Sequence, residues 1–294
     1  MNRTFTYKID EAYNSYKIGD FLREHLYSRH VIIHLKQTSQ GILLNNKWAY
    51  ITEVLHTNDV LTIRIVEELS SDNIVPVKMP LDIIYEDDDI LVINKASHTP
   101  IHPSINNYDN SLANGIAHYY ESQNLPFVFR CVNRLDKDTT GLVLLAKNMY
   151  SSCILSEMVR KREIHREYQA LVEGKLGDTG TIDAPIARKD GSIIERCIDF
   201  ENGQNAITHY SRLEYKNGFS LASIVLETGR THQIRVHMKY IGHPLPGDFI
   251  YNPIFTHINR QALHSYKLSF VHPIAKEAMD FVSPLPLDMK KLIE

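Results

Sequence analysis

Strand-like runs follow one another in this chain without the regular interposition of helices that a doubly wound parallel sheet demands. VLTIRIV (Val60–Val66) alternates as a strand does, and DIIYEDDDILVINK reads as a hairpin with its acidic turn at Glu86–Asp89. EYQALVEG (Glu167–Gly174) and SLASIVLET (Ser220–Thr228) read as further strands, with Leu142–Ala146 as a short apolar one. Helical spacing is confined to Gly19–His34, Ser111–Gln123 with Ser111 as N-cap, Ser151–Arg162, and Thr231–Tyr240 ahead of Gly242. The pattern predicts an α+β fold whose mixed, largely antiparallel sheet is flanked by helices and loops.

A polar segment with two prolines, Ser70–Pro80, separates two differently patterned regions and predicts a boundary near residue 75. Residues 1–75 then form a small α/β unit, with GILLNNKWAYI as two short strands about an Asn45-Asn46 turn, and residues 76–294 form the large one. No apolar run approaches the roughly 20 residues that a membrane helix needs, and the opening MNRTFTYKIDEAYNSY is too polar for a signal peptide. Cys131, Cys153 and Cys197 are odd in number and widely spaced, which fits reduced thiols in a cytoplasmic protein. The net charge of −3 does not by itself point to a nucleic-acid partner, so charge has to be read by position.

The most informative stretch is VNRLDKDTTGLVLLAKN, a polar loop (Asn133–Thr140) closed by Gly141 and held between apolar segments. Its Asp136 lies beside Arg134 and Lys137, whose charge favours an ionised carboxylate fit for a nucleophile. Taken alone, such a loop is most often a solvated turn whose Asp and Thr bond their own backbone. Asn133-Arg134-Leu135-Asp136 followed by Asp138-Thr139-Thr140-Gly141-Leu142, however, resembles the signature of the RluA-type pseudouridine synthases. That family usually has His where this chain has Asn133, and Thr-Ser where it has Thr139-Thr140. The resemblance continues through IIYEDDDILVINKASHTPIHPS, with Ala96 in place of the usual Pro, and through REYQALVEG, GRTHQIRVHMKYIGHPLPGD, ALHSYKLSFVHP and SPLPLDM.

The resemblance implies an isomerase that converts selected uridines of structured RNA to pseudouridine without a cofactor. Large-subunit rRNA is the favoured substrate and tRNA an alternative. It assigns Asp136 as the catalytic carboxylate, Tyr168 as the active-site tyrosine, Arg235 as its basic partner, and Arg134 as a residue near the flipped base. The carboxylate could attack the sugar, attack the base or remove a ribose proton. The target base must leave its stack to react, which costs least in loops and bulges. Tyr168 alternates with Ala170 and Val172 and so points to one face, where its ring could stack on uracil.

Arg160, Lys161, Arg162, His165 and Arg166 form the densest basic run, directly before Tyr168, and make a candidate phosphate-contact surface. Residues 15 to 68 resemble the small alpha-L RNA-binding domain that precedes many of these synthases. Few of the expected basic residues are present: Arg23, Arg29, Lys36 and Lys47. His232, His237 and His243 lie five and six apart rather than four, with no cysteine near enough to complete a zinc set, so no metal centre is expected. Two other classes fit part of the pattern: a non-catalytic RNA-binding assembly protein of the same fold, and a hydrolase pairing Asp136 with Asp138. A monomer is expected.

Overall fold

The computed structural model describes residues 2–253 and 256–294. Strands β1 (Asn2–Lys8), β2 (Ile42–Leu44), β3 (Lys47–Trp48) and β4 (Val60–Val66) form an antiparallel sheet in the order β1-β4-β2-β3. Asn45 and Asn46, both at positive φ, make the tight turn between β2 and β3. Two helices pack on this sheet, α1 (Ile18–Glu24) and α2 (Arg29–Gln37). The single helix expected over Gly19–His34 is therefore broken. Leu26 adopts φ 64°, and Ser28 starts a new helix by accepting a hydrogen bond from the Val31 N–H. The break re-aims the chain: Leu26 and Ile33, which helical spacing puts on the stripe of Phe21 and Leu22, are exposed, and α2 buries Val31, Ile32 and Leu35 instead.

The large sheet contains β5 (Asp82–Glu86), β6 (Ile90–Lys95), β7 (Thr140–Ala146), β8 (His165–Glu173) and β9 (Thr179–Asp183). A two-stranded ribbon, β10 (Ile186–Arg188) and β11 (Arg196–Ile198), stands apart from it. The sheet is completed by β12 (Ile207–Lys216), β13 (Phe219–Leu226), β14 (Leu263–Val271) and β15 (Ala278–Val282). Its order is β5-β6-β7-β14-β8-β13-β12-β9, with β15 paired to β14. Only the β7–β14 contact is parallel, and it is two residues long, His264 opposite Thr140 and Ser265 opposite Gly141. This seam joins the two antiparallel halves, so the sheet is mixed but largely antiparallel.

The remaining helices are α3 (Leu112–Glu121), α4 (Met149–Arg160), α5 (Gln233–Tyr240) and α6 (Leu287–Lys290). β7 is buried on both faces: Leu142, Leu144 and Ala146 pack towards α4, Val143 and Leu145 towards α3 and α5. Ser111 caps α3 in a reciprocal box with Asn114, and Asn148 caps α4.

Between β4 and β5 the chain passes from the small sheet to the large one without a gap in the core. Residues of the N-terminal unit share one apolar cluster with β6, β7 and α4. The Tyr150 ring stacks on Tyr27 at 3.9 Å and meets Phe5 edge-on, and its hydroxyl donates to the His25 carbonyl. Arg3 of β1 reaches the β5–β6 turn, where it pairs with Asp88 and with the buried Asp89. Residues 67–81 form no helix or strand, yet they are strapped down. Ser70 and Ser71 accept from the Phe127 and Phe129 N–H groups, and the Val75 carbonyl accepts from Asn114.

Gly141 lies at the seam with φ 111°, and a Cβ there would come within 2.3 Å of the Ser265 carbonyl oxygen. Gly141→Ala should combine backbone strain of about 1–3 kcal/mol with a clash that can be relieved only by parting the strands. Urea denaturation should show the loss in the unfolding midpoint. A variant with an unchanged midpoint would mean that the seam is not held this tightly.

Candidate active site

The loop that carries Asp136 enters the seam between the two halves of the sheet and is fastened from three sides. The buried Asn133 side chain donates to the Leu142 carbonyl and accepts from the Leu144 N–H, tying the loop's start to β7. Lys95, at the end of β6 and 1% exposed, gives its ammonium to the carbonyls of Ala96, Thr99 and Lys137. Burial pushes the Lys95 pKa down to about 7, against the pull of Asp138 and Asp136. The three carbonyl acceptors match the three N–H bonds of its charged form. The third fastening is Arg235.

Arg235 projects from α5 and is 2% exposed. Its Nε and Nη2 grip Asp248 at 2.7 and 2.8 Å, and its Nη1 donates to Asp136 Oδ2 at 2.8 Å. Asp248 is fully buried and also accepts from the N–H groups of Ile250 and Tyr251. Gly247 makes the approach possible: at φ 71°, a Cβ on it would lie 2.2 Å from the Arg260 carbonyl oxygen. Burial works against the charge of Arg235, and the two carboxylates more than offset it, so its pKa is raised. The Phe249 and Tyr251 rings lie 5.6 and 5.1 Å from its guanidinium carbon.

Asp136 is partly exposed at the floor of a narrow pocket lined by Arg134, Tyr168, Arg230, His232, Ile234 and Leu263, among others. Tyr168 lies on β8 between Ser265 of β14 and Ile224 of β13. Burial, the largest influence, raises its pKa, so the hydroxyl stays protonated and keeps a proton to donate. His232 precedes α5 in a left-handed conformation, with Nδ1 3.0 Å from the Tyr251 hydroxyl and Nε2 3.9 Å from Asp136 Oδ2. Burial lowers its pKa, so the imidazole is held towards its neutral form.

The structure brings Asp136, Tyr168, Arg235 and Arg134 together in this pocket. Arg160, Arg162 and Arg166 line an adjoining groove that shares Leu226 and Arg230 with it. Lys161 is turned towards Glu157, which also binds Arg160. Arg23 pairs with Asp20 on α1 and Arg29 opens α2, and neither lines the pocket. Asp138 lies 2.8 Å from His98, whereas Asp136 faces Arg235, so the two carboxylates have different partners and do not form a pair.

Lys95, Arg230 and Asp248 carry no site assignment in the sequence, where His232 stands only as a candidate metal ligand. A lysine closing an otherwise apolar strand was the one available signal for Lys95. His237 and His243 are both engaged, His237 with Thr208 and the Ala184 carbonyl, His243 with the Glu173 carbonyl. A different cluster, Asp87, Asp89 and His272, has atoms close enough to hold an ion. Its carboxylates already accept from Arg3, Tyr85, Asn148, Ser151 and His272, so the cluster acts as a structural clasp.

A model of the RNA pseudouridylate synthase family matches residues 89–240. YjbO of Bacillus subtilis, an uncharacterised RNA pseudouridine synthase, is 41% identical over 268 residues, covering 91% of this chain and 94% of that protein. Ribosomal large subunit pseudouridine synthase D of Escherichia coli K12 is 40% identical over 235 residues, covering 74% and 71% of the two chains. The solved structure of human RNA pseudouridylate synthase domain containing 1 matches with a TM-score of 0.59 at 27% identity, over 70% of this chain and 83% of that one. The chain belongs to the RNA pseudouridylate synthase family, and it is an isomerase.

Because Arg235 serves two carboxylates, its variants would test fold and chemistry together. Asp248→Asn is more selective, since it keeps the shape and one acceptor. It should cost roughly 2–4 kcal/mol of stability, near the range for breaking a buried pair. It should also lower the turnover rate more than RNA affinity, because Arg235 loses its anchor. Unfolding midpoints and single-turnover rates would check this, and wild-type turnover would show that Asp248 does not orient the site.

Proposed function

We propose that this enzyme isomerises a uridine of large-subunit rRNA, with Asp136 as the carboxylate that starts the exchange. The observation that carries the proposal is the 2.8 Å bond from the buried Arg235 to Asp136, at the floor of a pocket that Tyr168 also lines. An aspartate in bulk water would need no such partner. Here the guanidinium holds one carboxylate oxygen in a fixed place and leaves the other for substrate.

The reaction breaks the bond between uracil N1 and the ribose, turns the freed ring, and rejoins ribose to carbon C5. C5 gives up a proton and N1 gains one, so atoms balance and no cofactor is consumed. A flipped base entering the pocket would lie against Tyr168, whose ring offers a stacking surface and whose protonated hydroxyl offers a donor. The pocket is narrow, with Arg134 and Arg230 exposed along its lining, and the Arg134 side chain would swing aside as the base enters. The groove lined by Arg160, Arg162 and Arg166 would carry the flanking backbone. The ribosomal choice of substrate is supported by the relatedness to the large-subunit synthase of E. coli. For the N-terminal unit, Arg23 and Arg29 remain candidate contacts to more distant parts of the RNA.

Two experiments test the reading. Asp136→Asn keeps the shape of the side chain but removes its charge, and it should abolish isomerisation, by at least about a thousandfold, with RNA affinity changed less than severalfold. Turnover within tenfold of wild type would sink the assignment. Pseudouridine mapping across total cellular RNA, with and without the gene, should lose a signal in large-subunit rRNA. A signal lost only from tRNA would overturn the choice of substrate.

A further inference from the structure

The ribbon of β10 and β11 sets Arg188 directly opposite Arg196. Side chains directly opposed in an antiparallel pair leave the same face, and like charges so placed repel. Among the described residues no carboxylate pairs with either of them. Among the described residues Arg188 makes no hydrogen bond or ion pair, and Arg196 gives its Nη1 only to the carbonyls of Ile194 and Glu195. The Glu195 carboxylate is taken by Lys189 at 2.9 Å. A third arginine, Arg230, spends its Nε on the Asn205 carbonyl and has no acidic partner among the described residues. All three line one cavity with Asn202, Gln204 and Thr231. Arg230 also lines the Asp136 pocket.

A hollow with three guanidinium groups, two amides, a hydroxyl and no carboxylate is built to receive an anion. Its tetrahedral oxygens would match the forked N–H groups of arginine and cancel the repulsion across the ribbon. We infer that Arg188, Arg196 and Arg230 together clamp one phosphodiester group of the RNA, next to the nucleotide whose base enters the Asp136 pocket. This rests on the reading that the pocket takes a uridine of an RNA chain, and it adds a contact on the ribbon side, away from the Arg160–Arg166 groove. The clamp would hold the backbone at Arg230, the residue common to both cavities, while the base turns beyond it.

The test measures binding of a fluorescent twelve-residue oligouridylate over a range of salt concentrations. The proteins are wild type, Arg188→Gln, Arg196→Gln, the double variant of these two, Arg230→Gln, Arg160→Gln, and Arg160→Gln combined with Arg188→Gln. Each clamp variant should bind severalfold more weakly, and its dependence of log affinity on log salt should become shallower by about 0.7, the value for one single-strand phosphate. The double variant should lose no more than either single one, because all three arginines serve one phosphate. Arg160→Gln combined with Arg188→Gln should instead show losses that add, since those sites are separate. Unchanged binding in the clamp variants overturns the proposal, and so does a double variant whose slope falls by about 1.4. Melting temperatures at or above wild type, with no RNA present, should accompany loss of the opposed charge. Tight, clamp-dependent binding by a protein that isomerises no RNA would leave the clamp standing and sink the Asp136 reading instead.

Discussion

The Arg235–Asp248 pair takes two opposite charges out of water completely, and the pocket is organised around the result. Such a pair contributes little net stability, since each ion forfeits its hydration. Its gain is geometric. Two of the three guanidinium nitrogens are committed to Asp248, which is itself fixed by two backbone N–H groups beyond the Gly247 turn. The third nitrogen then has one place to point, and Asp136 lies there. The Asp136 carboxylate is positioned by a residue that could not move without stranding a buried charge.

The other half of this arrangement is the seam between β7 and β14. Two antiparallel half-sheets meet there over two residue pairs, close enough that only glycine fits at position 141. The Asp136 loop feeds straight into that junction, and α5 approaches from the face where Tyr168 and Ile234 are buried. Lys95 fastens the loop from a third side, at the end of β6. Three distant stretches of chain thus converge on the Asp136 loop, each through a buried polar contact rather than by loop packing alone.

Much of this could be read from the residues in order, and what could not has a physical reason. The hairpin about Glu86–Asp89, the Asn45-Asn46 turn and the Ser111 cap depend on neighbours in sequence, so local pattern reveals them. The break at Leu26 is hidden from periodicity because apolar residues recur at helical spacing on both sides of it, although Leu26 and Ile33 end up exposed. Asp248 lies thirteen residues from Arg235 in sequence, and Lys95 forty-two from the Lys137 carbonyl that it binds. Neither pairing has a local signature, because both arise only when the sheet closes. The opposed arginines of the ribbon were equally hidden, since register across β10 and β11 is set by the fold and not by spacing.

The docking of the N-terminal unit has a further consequence. Its contacts through Arg3 and the Tyr27–Tyr150 stack lie near the Ile90–Ala146 end of β6 and β7, while Asp136 and Lys95 lie at the opposite end. Seven residues of strand separate those ends, roughly 20 Å at about 3.3 Å per residue. With the two units sharing one core, that span is a fixed ruler and not a tether. An RNA that touches both ends must therefore present its target uridine at a set distance from its second point of contact.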